Sequence, residues 1–274
     1  MTQRFNEDRP VPPRLSRVRL IQLLSLPMLA FISLPLLALF LRTSPASLLA
    51  NLRQPVVQQA IVLSLVTSLT ATGITILLGT PLAYGLARGA FRYQRLIDTL
   101  VDLPIVLPPA VAGVALLVAF GRRGLFGGWL NSLGIDIAFT ASAVILAQIF
   151  IAAPFYIRAA RLGFASIDWE LEQAAGLDGA NPWQVFRFVI VPLAWTALLG
   201  GSVMTWARAM GEFGATIIFA GNFPGRTQTM PLAIYLGFEL DLNIALTLSV
   251  ILVGFSFLVL MAVRGLLQRE ITTF

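Results

Sequence analysis

From Leu20 to Leu41 the chain runs 22 residues without a charged side chain, and long apolar blocks of this kind recur to its end. About 18 or more apolar residues in a row are what a helix needs to cross the hydrocarbon of a bilayer. The bulk numbers agree: 57% of the 274 residues are hydrophobic, 12% are charged and the mean hydropathy is +0.84. A soluble domain is closer to about half apolar and a quarter charged, so this chain has too little polar surface to cover a water-facing globule. The fold class expected is an all-α integral membrane protein.

Six blocks are expected to cross, at roughly 20–41, 59–87, 100–120, 137–158, 190–221 and 242–263. The first follows Arg14, Arg17 and Arg19, as a signal peptide would. Its apolar run is longer than a signal core and has no clear small-x-small cleavage site, so it reads as a retained helix. Six spans put both termini on one side. On that side the segments hold Arg4, Arg9, Arg14, Arg17, Arg19, Arg88, Arg92, Arg95, Arg158, Arg161, Arg187, Arg264 and Arg269, which is 13 arginines against 5 opposite (Arg42, Arg53, Arg122, Arg123 and Arg226). The positive-inside rule assigns the richer side, and with it both termini, to the cytoplasm. The domain plan is a cytoplasmic segment 1–19, one transmembrane domain 20–264 and a cytoplasmic tail 265–274.

Cysteine, histidine and lysine are absent, and all 19 basic residues are arginine. Disulfide and thiol chemistry, histidine acid–base catalysis and the commonest metal ligands are thereby excluded. A net charge of +6 would suggest a nucleic-acid partner in a soluble protein; here the arginines sort by side of the membrane, and the partner expected is lipid.

The cytoplasmic loop at about 162–188, between the fourth and fifth blocks, is the most patterned stretch. Asp168, Glu170 and Glu172 open a short helical pattern, where acids suit the positive helix end. It stops at Asp178-Gly179, a glycine well placed for the left-handed conformation that ends helices. Asn181, Pro182 and Gln184 then start a second helix with a capping box and proline at the first position. Ala174, Ala175 and Gly179 lie around the turn without bulky side chains, so another backbone can approach it closely.

Two spans carry irregularities. Pro104, Pro108 and Pro109 crowd the start of the third, where missing amide donors imply broken backbone, tolerated in a membrane when buried or lining a wet cavity. The same prolines also suit a simple kinked entrance. In the fifth, Arg208 and Glu212 are four apart and would share a face of a continuous helix. Unpaired charge at mid-membrane is penalised by about 3 kcal/mol or more, so the two are expected to pair and to face the interior or a wet path. Gly211, Gly214 and Thr216 surround them, with Thr205 and Ser202 about one and two turns before Arg208. Beyond, Gly221, Asn222, Pro224 and Gly225 form a turn on the outer side.

The loop resembles the Glu-Ala-Ala loop of permeases in binding-protein-dependent ATP-binding-cassette (ABC) importers: Gln173-Ala174-Ala175, Gly179, Val189 and Val191-Pro192 keep its spacing. Gln173 replaces the glutamate and Glu172 sits one position early. Gly211 to Tyr235 resembles the molybdate/tungstate importer permeases, notably Gly225-Arg226-Thr227-Gln228-Thr229 followed by Pro231-Leu232. Sulfate importer permeases share the Arg-Ala-x-Gly-Glu pattern and the Ala-Gly-Asn turn, then diverge. The resemblance covers most of the chain, strongest from Glu172 onward and weakest in the first forty residues.

The resemblance implies a type I importer permease, not an enzyme, in a prokaryotic plasma membrane. It implies a homodimer with two cytoplasmic ATPases that carry ATP and magnesium, no cofactor on this chain, and an extracytoplasmic protein that delivers the oxyanion. The chain itself has no phosphate-binding Gly-x-x-x-x-Gly-Lys motif. Glu172, Gln173, Ala174, Ala175, Gly179, Asn181, Pro182 and Pro192 would form the loop that docks on the ATPase. Candidate pathway residues are Pro104, Pro108, Pro109, Ser202, Thr205, Arg208, Gly211, Glu212, Gly214 and Thr216. A pathway must release what it binds, which favours hydroxyls and glycine backbone over a tight arginine clamp. The loop Gly121 to Gly134, with Arg122, Arg123 and Trp129, reads either as an interfacial anchor or as a surface for the delivering protein. A sulfate or thiosulfate permease is the near alternative. An ion-coupled carrier is the distant one, since it needs a chain of intramembrane ionisable groups, or inverted halves for which six spans leave little room.

Overall fold

With hydrocarbon on the outside, backbone amides must bond within their own element, and every regular element among the described residues is helical. The computed structural model describes residues 14–271; of the terminal segments expected at 1–19 and 265–274, residues 1–13 and 272–274 lie outside the described residues. In chain order the helices are α1 (Arg14–Arg42), α2 (Pro45–Leu52), α3 (Pro55–Ala87), α4 (Gln94–Val106), α5 (Pro109–Phe120), α6 (Gly127–Ser132) and α7 (Ala141–Ala165). They continue with α8 (Trp169–Leu177), α9 (Pro182–Val185), a π-turn (Phe186–Ile190), α10 (Val191–Leu193), α11 (Trp195–Met210), α12 (Gly214–Phe219), α13 (Met230–Leu240) and α14 (Leu242–Ile271).

The chain divides into two units between Ser44 and Pro45. The first holds α1, a single apolar helix with Pro27 and Pro35 inside it. Its serine hydroxyls turn back onto the helix, Ser25 Oγ donating to Gln22 O and Ser33 Oγ to Leu29 O, both at 2.8 Å. That satisfies them without water.

The second unit is built on α3, α7 and α11, which pack along one another. Small residues set the approach: a Cβ at Gly201 would stand 2.8 Å from the Ala159 Cβ, and one at Gly79 would stand 3.1 Å from the Tyr156 ring. Leu86, Phe164, Ile167, Val185 and Ile190 fill the cluster that ties the α3 and α7 ends to the α8–α9 loop. Ala112, Leu116, Ala143, Ala147, Ala215 and Phe219 join α5, α7 and α12. Val57, Trp206, Met210, Met230 and Leu248 join α3, α11, α13 and α14. The rim of the unit is apolar, with Leu69, Leu77 and Leu78 of α3 exposed, as lipid or a partner requires.

Among the described residues four helices are long and apolar enough to cross a membrane: Ile21–Arg42, Pro55–Ala87, Ala141–Ala165 and Leu242–Met261. Two bent pairs bring the number to six if each is one span. Gln94–Val106 meets Pro109–Phe120 at 117°, and Pro182–Leu193 meets Trp195–Met210 at 74°.

The expected boundaries shift for local reasons. The fourth block begins at Ala141 rather than 137, capped by Thr140, and runs to Ala165 rather than 158. Arg158 and Arg161 therefore sit on α7 itself, paired with Asp102 and Asp98 of α4. The last helix continues through the residues expected as a tail to Ile271, since no proline interrupts them. The fifth block is not one helix: the proline at 192 and the glycines at 211 and 214 divide it.

Candidate functional site

The loop after α7 folds as two short helices around a tight corner. At the end of α8 the Ala180 amide donates to Ala175 O at 3.0 Å and the Gly179 amide to Gly176 O at 3.1 Å. Together these make a Schellman turn, and it needs the left-handed backbone that Gly179 supplies at φ 88°. Asn181 Oδ1 then accepts the Gln184 amide at 2.9 Å, and Gln184 Oε1 accepts the Asn181 amide at 2.8 Å. Both bonds of the capping box are made, and Pro182 begins α9.

Pro192 accounts for the π-turn that follows. It has no amide to donate to residue 188 and its ring would press on that carbonyl. The helix widens instead, and the Val191 amide donates to Phe186 O, five residues back.

At the corner Leu177 is 89% exposed, Gln173 and Ala174 are exposed, and nothing lies within 4 Å of a Cβ built at Gly179 or Gly176. The outer side of the corner is open, with Leu177 standing between the exposed polar Gln173 and Asp178. Its inner side is closed: Val185 is buried and Ala175 packs on the core.

Glu172 turns to that inner side. Its Oε2 accepts a hydrogen bond from the Tyr84 hydroxyl at 2.9 Å and its Oε1 forms an ion pair with Arg88. Arg88 also donates to Ile167 O at 3.2 Å, and its guanidinium lies 5.8 Å from the Tyr84 ring centre and 5.7 Å from that of Trp169. Tyr84 and Arg88 are functional candidates the sequence reading did not name. Its only pointer was the displaced acid at 172, and the partners lie over eighty residues away.

Of the pathway candidates, the structure brings one group together at the bend of the third span. Pro104, Pro109 and Arg208, with Ile105, Leu107, Ile151 and Phe155, line a cavity of about 120 Å³. Gly214 lies directly against Pro109, where a Cβ would stand 2.5 Å from that ring. The α11 helix ends at Met210, so Glu212 sits in the break rather than on a continuous helix, yet Arg208 Nη1 still reaches its Oε2 at 2.9 Å. The Glu212 side chain is 1% exposed and that of Arg208 32%. The arginine therefore faces the cavity while the carboxylate holds the break closed.

Other candidates lie apart from that cavity. Pro108 forms the bend without lining it, and Gly211 is exposed at the α11 end. Ser202 donates to Leu198 O at 2.7 Å and lines a separate, apolar cavity of about 430 Å³ with Leu65, Leu69 and Trp206. Thr205 is buried and donates to Ala152 O at 3.3 Å. Thr216 is buried in α12 behind the break. In the segment between α5 and α7, Arg122 pairs with Asp136 at 3.0 Å in the open, while Trp129 is exposed on α6. Among the described residues no group of three or more acidic, histidine or cysteine side chains could hold a metal.

Broken spans with a charged pair at the break, and a capped corner free of hydrocarbon-length helix, define a multi-span transport protein of the membrane. Residues 75–272 match the family described as the inner membrane component of binding-protein-dependent transport systems, and the chain belongs to that family. It is a permease subunit rather than an enzyme, with ATP hydrolysis in a separate subunit. The molybdenum transport system permease protein ModB of Mycobacterium tuberculosis is 40% identical over 235 residues, 86% of this chain and 89% of that protein. ModB of Escherichia coli K12 is 42% identical over 178 residues, covering 65% and 78%. The molybdate/tungstate permease protein WtpB of Thermococcus kodakarensis is 34% identical over 245 residues, covering 89% and 93%. The fold is shared with a bacterial ABC transporter involved in import of the polysaccharide alginate, at TM-score 0.68 and 17% identity over 93% of this chain and 97% of that one. It is also shared with the MetNI methionine ABC transporter in inward-facing conformations, at TM-score 0.56 and 20% identity over 78% and 93%.

Proposed function

We propose that the chain carries a molybdate-class oxyanion, molybdate or tungstate, into the cytoplasm of a prokaryote by alternating access. The observation that carries this reading is the 40% identity to a molybdenum permease over 86% of the chain. The working unit is a homodimer in the plasma membrane with both termini cytoplasmic. Two ATPases, which bind ATP and magnesium, sit against the α8–α9 corner, and an extracytoplasmic protein delivers the anion. A transporter of this fold has been crystallised with a periplasmic protein bound to its alginate pentasaccharide.

The cavity chemistry fits a weak station for an anion. Arg208 offers positive charge to the cavity, and Glu212 takes up part of it. A site of that kind attracts an anion and lets it go, which conduction demands. Docking at the corner rests on its exposed Leu177 and on the empty space around Gly179.

The test is reconstitution of the chain with its ATPase and binding protein in liposomes, followed by uptake of labelled molybdate, tungstate and sulfate. ATP-dependent uptake of the first two over sulfate is expected. Preferential sulfate uptake would move the chain to the sulfate class, and full-rate uptake without any ATPase would make it a carrier.

A further inference from the structure

We infer that Arg88, Glu172 and Tyr84 form a clasp that fastens the corner to the end of α3, so that a push on the corner moves α3 as well as α7. This deepens the docking reading above and rests on it.

The chain order alone does not require such a link. The α8–α9 loop is covalently continuous with α7 and, through the π-turn, with α11. The α3 helix ends at Ala87, far away in sequence. Its end is nevertheless fixed in place: the Ala90 amide donates to Gly85 O at 2.9 Å around the left-handed Gly89 at φ 67°, a bond that closes the helix end. Arg88 stands at that fixed end and spends its guanidinium on the loop. One nitrogen reaches Ile167 O just before α8, and another pairs with Glu172 one turn into it. The Tyr84 hydroxyl occupies the second carboxylate oxygen.

The Arg88 and Glu172 side chains are only 13% and 9% exposed. A pair this shielded is little weakened by salt or water, unlike a surface pair. Both Glu172 oxygens are also engaged within the chain, one by Arg88 and one by the Tyr84 hydroxyl. Glu172 is therefore a positioning residue within this chain, and the displaced acid of the loop pattern has an internal partner. Since α3 packs along both α7 and α11, the clasp closes a loop of three helices that must move as one body.

The experiment uses the chain assembled with its ATPase in liposomes and reads labelled molybdate taken up per ATP hydrolysed. Arg88→Gln and Glu172→Gln are each expected to keep the ATPase bound while lowering that ratio about tenfold. The double variant should be no worse than either single one, because the clasp is lost once. If the glutamine variants fail to insert, Arg88→Lys decides. It keeps the charge, loses the planar fork that serves Ile167 and Glu172 together, and should still lower the ratio. An unchanged ratio in inserted variants, or losses that multiply in the double variant, overturns the clasp. Docking is checked separately by cross-linking Leu177→Cys to the ATPase, in a chain with no cysteine of its own. Absence of that cross-link would sink the docking reading, whereas a cross-link with an unchanged ratio would sink the clasp alone.

Discussion

Glu212 binds Arg208 through one oxygen at 2.9 Å and the amide of Ala215 through the other at 2.8 Å. One buried carboxylate thus joins the last turn of α11 to the first turn of α12 across a stretch of non-helical backbone. The charge pairing and the helix-end bond are separable, because an amide side chain can supply the second without the first.

Glu212→Gln is therefore expected to hold the break and keep most of the stability. Glu212→Ala removes both bonds and should destabilise by about 2 kcal/mol or more, the range for losing a buried charged partner when the other ion is part-exposed. Thermal unfolding in detergent measures the difference. With Gln at 212, Arg208 turns its whole charge to the cavity, so anion turnover should slow. If stability and uptake both stayed at the wild-type level, neither role would stand.

Gly113 marks a close approach of α5 to α12. A Cβ there would stand 2.8 Å from Ala215 O and 3.1 Å from Ala215 Cα, both backbone atoms that cannot swing away. Gly113→Val is expected to destabilise by about 1–3 kcal/mol or more. Gly128→Ala, where a Cβ meets nothing within 4 Å, should leave the melting temperature nearly unchanged.

Gly179 separates backbone strain from docking. At φ 88° any side chain costs about 1–2 kcal/mol, least for asparagine. That penalty is too small to unfold the chain, and within it nothing surrounds the position. Gly179→Asn should keep much of the uptake, while Gly179→Trp should insert normally and lose it. Normal ATP-driven uptake by an inserted tryptophan variant would remove the docking role.

The Asp102–Arg158 pair spans 2.6 Å, but its side chains are 35% and 56% exposed. Exposed pairs contribute about 0–1 kcal/mol. Asp102→Asn should shift the melting temperature slightly at low salt and less still in molar salt, where the screening length falls to about 3 Å. A large shift that survives molar salt would mean the pair is shielded by something beyond this chain.

What the sequence made legible was local. The Asn181–Gln184 box and the Gly179 corner depend on neighbours within a few residues, and both formed as spaced. Prolines at 104, 108 and 109 announced irregular backbone, though not a bend of 117°, which depends on how α5 packs against α12. The α13 helix went unanticipated because 11 residues are too few to span. It owes its place to contact with α14, where Gly237 meets Ala245. Partners distant in the chain were invisible altogether: nothing near Glu172 in the sequence announced Tyr84 and Arg88, which lie beside it. Arg208 and Glu212 were expected to share a helix face, and they pair although the helix stops between them.

The 33 residues of α3 make a rod about 50 Å long at a rise of 1.5 Å each. Hydrocarbon occupies only about 30 Å. An upright rod would stand well proud of the lipid, and a strongly leaning one would submerge its ends. The lean is thus tied to acyl-chain length, and with it the depth at which the Tyr84 hydroxyl and its acidic neighbour sit. Membrane thickness becomes an input to the machine, set by the cell's choice of fatty acids.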